Sequence, residues 1–314
     1  MPEVPILRGD EVRAALDMSS CIEACDRAFA AYATGGAELP GVIHLEVPES
    51  RGEIHVKAGH LHGFPYYAVK VASGFYGRDP AAIDGSVLVF DVRDGSPAAI
   101  LLDGGYLTDV RTGAAGGVAA GHLARDEARV AAVVGTGIQA RMQVAGLIAM
   151  RPSIEEVRVW GRRSERATVA AADVAAAHEG LGATAVPSIR DAVEGADVVI
   201  TCTASTEPLV RAEWLAEGTH VTAVGSDGPG KQELDPEILR RADRLVVDSL
   251  DQCRRLGELQ HALDVADRAV ELGAICAGLE PGRTRSAELT VCDLTGVGVQ
   301  DVAAANVVMQ QLAR

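Results

Sequence analysis

Aromatic side chains are scarce in this 314-residue chain, at 4% of positions, although 48% of residues are hydrophobic. The core must therefore be built mainly from Ala, Val, Leu and Ile, a composition that suits a soluble α/β protein. Positive charge is also in short supply. Lys and Arg number 29 against 44 Asp and Glu, a formal net charge of −15. That balance argues against nucleic acid or an anionic membrane surface as a partner, and leaves room for local positive pockets. No apolar run reaches membrane-spanning length. The first residues lack the charged-then-apolar pattern of a secretory signal. The six cysteines (Cys21, Cys25, Cys202, Cys253, Cys276, Cys292) show no zinc-type pairing. They are expected to be reduced thiols in a cytoplasm. His55, His60 and His62 lie near Lys57 but without an acid cluster, which makes a poor metal site, and no metal is expected.

The chain is organised around residues 129–164. Val130-Ala131-Ala132-Val133-Val134 reads as a strand buried on both faces. It runs into Gly135-Thr136-Gly137-Ile138-Gln139-Ala140, a G-x-G-x-x-A turn, then a helical stretch to Met150 and a second strand, Val157-Arg158-Val159-Trp160. Gly135 permits the tight turn, Gly137 lets a diphosphate approach the backbone, and the small Ala140 allows close helix–strand packing. The free N–H groups of the first helical turn then face the anion. This context points to dinucleotide binding. A site for NAD(H) usually ends the second strand with an acid that binds the ribose 2′-hydroxyl. Here Gly161-Arg162-Arg163-Ser164 follows, with no acid until Glu165. Two guanidiniums and a hydroxyl suit a 2′-phosphate, so NADP(H) is favoured and NAD(H) remains possible. The competing reading makes the arginines solvated charges at a helix start.

Before this unit, residues 10–35 read as one helix with Asp10 as a candidate cap. Strand-like runs follow at 41–47, 53–58, 66–72, 86–92 and 98–102, with a hairpin turn at Asp91 to Pro97. A small-residue helix is expected over 113–123, capped by Thr108 or Asp109. After the unit, strands near Val186 and at 197–201, 218–224 and 244–248 alternate with helices, which means a parallel, doubly wound sheet. The final helix should return to the first domain. The expected fold is α/β: a Rossmann domain over 126–294, plus a mostly antiparallel α+β domain over 1–125, completed by 295–314.

Ligands in open parallel sheets bind beyond the carboxyl ends of the strands. Thr201-Cys202-Thr203 falls there, and is either a ribose contact or a plain turn. Ser226-Asp227 falls there too, on a glycine-rich loop where a carboxylate can hold an amine or take a proton. Lys231 and Glu233 are expected to cap and pair at the helix start that follows. Arg111-Thr112 could clamp a substrate carboxylate or a cofactor phosphate, or be surface charge. Lys70 interrupts an apolar strand. It either meets an anion such as a substrate carboxylate, or guards a sheet edge.

Leu107-Thr108-Asp109-Val110-Arg111-Thr112, the glycine turn at 135–140, and Val224-Gly225-Ser226-Asp227 running to Gly230-Lys231-Gln232-Glu233-Leu234 together resemble the ornithine cyclodeaminase/mu-crystallin family along the whole chain. Residues 102–112 and 292–301 look most like its ectoine-utilisation cyclodeaminase-like members. The resemblance implies that the domain over 1–125, completed by 295–314, is a substrate and dimerisation domain, and it implies a homodimer and a small amino- or imino-acid substrate. It implies that Lys70 and Arg111 hold the substrate carboxylate, and that Asp227 engages the reacting amine. Many members carry an arginine just after an early proline. Here Pro40 is followed by Gly41-Val42-Ile43-His44, so Lys57 or His44 would substitute, which points to an altered substrate. The activity expected is NAD(P)H-dependent reduction of an imino acid. Cyclodeamination of a diamino acid, or ligand binding without turnover, are the rivals.

Overall fold

Alternating apolar and polar positions in the first hundred residues pair into one sheet in a computed structural model. The structure describes residues 3–41, 43–75, 77 and 82–312. Two compact units emerge, residues 1–111 with 297–314, and residues 112–296.

The first unit contains β1 (Ile6–Arg8), α1 (Gly9–Ala15), α2 (Met18–Ala33), β2 (Ala37–Glu38), β3 (Ile43–Val47), β4 (Gly52–Leu61), β5 (Tyr66–Phe75), β6 (Ala82–Asp91) and β7 (Pro97–Leu102). The sheet order is β1-β7-β6-β5-β4-β2, with β3 also on β4. All pairs are antiparallel except β1 with β7. The expected strand at 41–47 includes Val42, which lies outside the described residues. The expected single helix at 10–35 is two helices. Asp17 breaks it, because its side chain caps α2 by accepting from the Ser20 N–H at 2.9 Å.

Period-two alternation sends Leu61, Ala68, Lys70, Val87, Val89 and Leu101 to one buried face. The C-terminal helix covers this face, packing on α2, β4 and β5. Its Asn306 replaces a strand's hydrogen bonds, accepting from the Tyr66 N–H at 3.3 Å and donating to the Tyr66 carbonyl at 3.0 Å. The other face is apolar as well. Ile54, Val56, Val69, Val71 and Leu88 are only half-buried there, and Ile43 and Leu45 are exposed.

Helix α3 (Tyr106–Leu123) starts earlier than the sequence suggests. Gly104 and Gly105 take positive φ values of 61° and 90°, and Asp103 Oδ2 accepts from the Leu107 N–H at 2.5 Å. Asp103 is thus the cap, and Thr108, Asp109 and Arg111 lie inside the helix. The division between units falls within α3, between Arg111 and Thr112, rather than after it.

The second unit runs β8 (Val130–Val134), α4 (Ile138–Met150), β9 (Glu156–Trp160), α5 (Ser164–Ala177), β10 (Gly182–Ala185), α6 (Ile189–Val193), β11 (Val198–Thr201), β12 (Thr206–Val210), β13 (His220–Ala223), β14 (Gln232–Leu234), α7 (Pro236–Arg241), β15 (Arg244–Val247), α8 (Leu250–Leu256), β16 (Val270–Glu271), α9 (Leu272–Cys276) and β17 (Thr290–Asp293). The C-terminal helix is α10 (Gly298–Leu312). The short strand expected near Val186 is β10, a few residues earlier. The eight-stranded sheet has the order β10-β9-β8-β11-β13-β17-β15-β16, and every pair is parallel. Buried Val, Ala, Leu and Ile fill the layers between sheet and helices. The small residues of α3 let it touch α4 backbone to backbone. A Cβ on Gly113 would come within 2.4 Å of the Met142 carbonyl oxygen.

Candidate active site

In the first unit the polar centre is a buried three-residue cluster. Lys70 on β5 and Arg111 on α3 both donate to one oxygen of Asp301 on α10, at 2.7 and 3.0 Å. Lys70 also reaches Thr108 Oγ1 at 3.3 Å, and Arg111 reaches Gln300 Oε1 at 3.4 Å. Lys70 is 4% exposed, Arg111 7% and Asp301 3%. Burial lowers the Lys70 ammonium from its ordinary value to about 8, against the opposing pull of Asp301. Burial pushes the Asp301 carboxyl up, but the Lys70 and Arg111 charges outweigh it and hold it at about 2. Lys57 faces Lys70 directly across β4 and β5, and its charge acts on both partners. The edge-strand reading of Lys70 and the surface-charge reading of Arg111 therefore fail, since both are buried and paired. The anion beside Lys70 is a carboxylate of the chain itself. Sequence reading assigned Asp301 no role. Its signal was the one charged residue of the helix Gly298–Leu312.

In the second unit the sheet order sets four strand ends side by side, β9, β8, β11 and β13, with the connection reversing direction at β8. Gly135 has φ 139°, and a Cβ there would meet the Cys202 sulfur at 2.6 Å. Turn 135–140 and loop 201–203 therefore touch, and only glycine fits. Among the described residues, a Cβ at Gly137 would meet nothing within 4 Å, and no side chain caps the N-terminus of α4. An open space before uncapped N–H groups is what a dinucleotide's diphosphate needs. A Cβ on Gly161 would strike Thr136 Cγ2 at 2.3 Å, so the Arg162-Arg163-Ser164 turn abuts the glycine turn. Arg162, Arg163 and Ser164 are exposed.

The loop after β13 is stapled from beneath. Glu233, fully buried, accepts from the Thr203 N–H at 2.5 Å and the Gly225 N–H at 2.8 Å. One carboxylate thus ties the loop after β11 to the loop after β13. The expectation that Glu233 caps the next helix is corrected. Gln232–Leu234 is a strand, and Asp235 caps α7 by accepting from the Glu237 N–H at 3.0 Å. Lys231 pairs with Asp227 at 2.5 Å, and Asp227 stays half-exposed. Ser226 turns inward, donating to the Lys231 carbonyl at 2.9 Å.

Below this staple, Glu258 accepts from the Glu233 and Leu234 N–H groups, and Asp293 from Leu259. Burial, reinforced by Asp248, raises Asp293 to about 7. The folded state then holds a proton that the unfolded chain releases near pH 4. Stability from this group is fully present below about pH 4 and is lost as pH rises through about 7. Asp293→Asn removes that loss. Its melting temperature relative to wild type should climb from about pH 5 to about pH 8. A difference that stays flat across that range in thermal melts would contradict the assignment.

The profile of the ornithine cyclodeaminase/mu-crystallin family matches residues 4–314. The chain belongs to that family. It is 43% identical to a putative dehydrogenase of Rhizobium meliloti, over 97% of this chain and 94% of that one. The structure of Thermococcus litoralis Delta(1)-pyrroline-2-carboxylate reductase in complex with NADH and L-proline superposes with a TM-score of 0.92 at 30% identity, covering 99% and 98% of the two chains. An archaeal alanine dehydrogenase dimer with bound NAD gives 0.90 at 35% identity, covering 99% and 96%. The ornithine cyclodeaminase/mu-crystallin fold of this chain is thus mixed α/β, with a parallel sheet and a mostly antiparallel one. The chain is an enzyme of the reductase, dehydrogenase or cyclodeaminase kind.

Proposed function

We propose that this protein is an NADP(H)-preferring reductase of a small imino acid, equivalently an amino-acid dehydrogenase run in reverse. The observation that carries the proposal is the Arg162-Arg163-Ser164 turn abutting the glycine turn, with no carboxylate at the end of β9. A phosphorylated nicotinamide dinucleotide supplies the hydride when bound. Gly135, Thr136, Gly137, Ile138, Gln139 and Ala140 hold its diphosphate. Arg162, Arg163 and Ser164 hold its 2′-phosphate. Thr112, Thr201, Cys202, Thr203 and Ser226 form the rest of the cofactor set, with Arg111 able to serve either ligand.

Lys70 and Arg111 are assigned to the substrate carboxylate, with Lys57 in support. Two cations share one Asp301 carboxylate, so the three groups carry one positive charge in excess, which a substrate carboxylate balances. Asp227 is assigned to the iminium nitrogen. Lys70, with its ammonium lowered to about 8, can also release a proton near neutral pH. Solved relatives bind NAD, NADH or L-proline, which supports a dinucleotide and a small amino or imino acid. The apolar outer face of the β3–β7 sheet supports a homodimer in which a second copy covers it, as does the dimeric alanine dehydrogenase. The six cysteines form no disulfide among the described residues, which suits the reducing cytoplasm. No helix is long and apolar enough to cross a membrane among the described residues.

Cofactor choice is tested by replacing Arg162 and Arg163 with Gln. Fluorescence titration should show NADPH binding weakened about 10–100-fold, as expected for lost charge-assisted bonds. NADH binding should change little. Equal losses for both nucleotides would remove the phosphate role.

A further inference from the structure

Farther along β3 and β4, on the sheet face that carries Lys57, the structure gathers three ligand-bearing side chains that are scattered in sequence. His44 and His55 sit directly opposite each other on paired antiparallel strands. Their rings stack at 4.6 Å between centroids with an 11° interplanar angle. Glu53, two residues before His55, shares their face by strand alternation. Its Oε2 lies 4.0 Å from His55 Nε2. One ligand atom from each of the three lies within 4.8 Å of the others. In sequence His55 stands with His60 and His62 and without an acid cluster, a poor metal site; strand register brings His44 beside it instead.

We propose that His44, Glu53 and His55 form a binding site for a divalent transition-metal ion of the Zn²⁺ class. Two imidazoles and one carboxylate are a borderline donor set that suits Zn²⁺, Cu²⁺, Ni²⁺ or Co²⁺. A tetrahedral Zn²⁺ needs ligand atoms roughly 3.4 Å apart. Rotation of partly exposed side chains supplies the closure, while the strand pair fixes the Cβ atoms of His44 and His55 about 5 Å apart and need not move. Three protein ligands leave a position for water. Mg²⁺ and Ca²⁺ are disfavoured, because they take oxygen ligands. This site stands independently of the proposed reductase activity.

The test is calorimetric titration of the full-length, chelator-treated protein with ZnCl2, with CoCl2 absorption spectra in parallel. One Zn²⁺ per chain is expected. Loss of a direct ligand should cost at least as much as loss of a supporting one, about 10–100-fold in affinity. His44→Ala and His55→Ala should each show this, with the visible Co²⁺ bands lost. Glu53→Gln should weaken binding in the same direction. His60→Ala with His62→Ala should leave it unchanged, and MgCl2 should give no heat. His44→Asn and His55→Asn repeat the reading should alanine disturb the strand pair. Undiminished Zn²⁺ affinity in the His44 and His55 variants, or loss with the His60/His62 variant instead, would overturn the site.

Discussion

Asp301→Ala is expected to cost about 3–5 kcal/mol of folding stability, because it strands two buried cations. Lys70 and Arg111 share one oxygen of that carboxylate and are themselves almost fully buried. Lys70→Met should cost less, since the Arg111–Asp301 pair survives and a methionine fills similar volume. The ordering matters more than either value. Denaturant titration of both variants checks it, and a larger loss for Lys70→Met would mean that Asp301 is not the hub. Acid should act in the same sense. Asp301 is held at about 2, below its unfolded value near 4, so its contribution is present above about pH 4 and fades as pH falls through about 2.

Asp227→Asn should leave the fold and NADPH affinity intact while turnover falls about 10²–10⁴-fold, the range for a group that manages a proton or charge at the reacting atom. The side chain is half-exposed and pairs only with Lys231 among the described residues, so little stability rests on it. The discriminating readout is kcat measured beside the NADPH dissociation constant. Normal kcat would take Asp227 out of the chemistry. A parallel loss of NADPH binding would make its role structural.

The parallel sheet was readable because buried strands such as Val130–Val134 are continuous apolar runs closed by glycine turns. The strand-rich first unit was readable from alternation for the same local reason. What escaped depends on partners distant in the chain. Asp301 lies 231 positions from Lys70, and Glu233 lies 30 from Thr203. No local pattern announces that a buried carboxylate will serve backbone N–H groups of two loops. The start of α3 was misplaced because its capping residue, Asp103, stands before a glycine pair that resembles an ordinary turn. His44 and His55 became neighbours only through strand register.

The most direct test follows nicotinamide absorbance and free ammonia together. The protein is mixed with NADPH, a panel of 2-oxo acids, and ammonia or methylamine. NADPH should be consumed in step with amine, and no ammonia should be released. Steady absorbance with ammonia released from a diamino acid and catalytic NAD⁺ would contradict it.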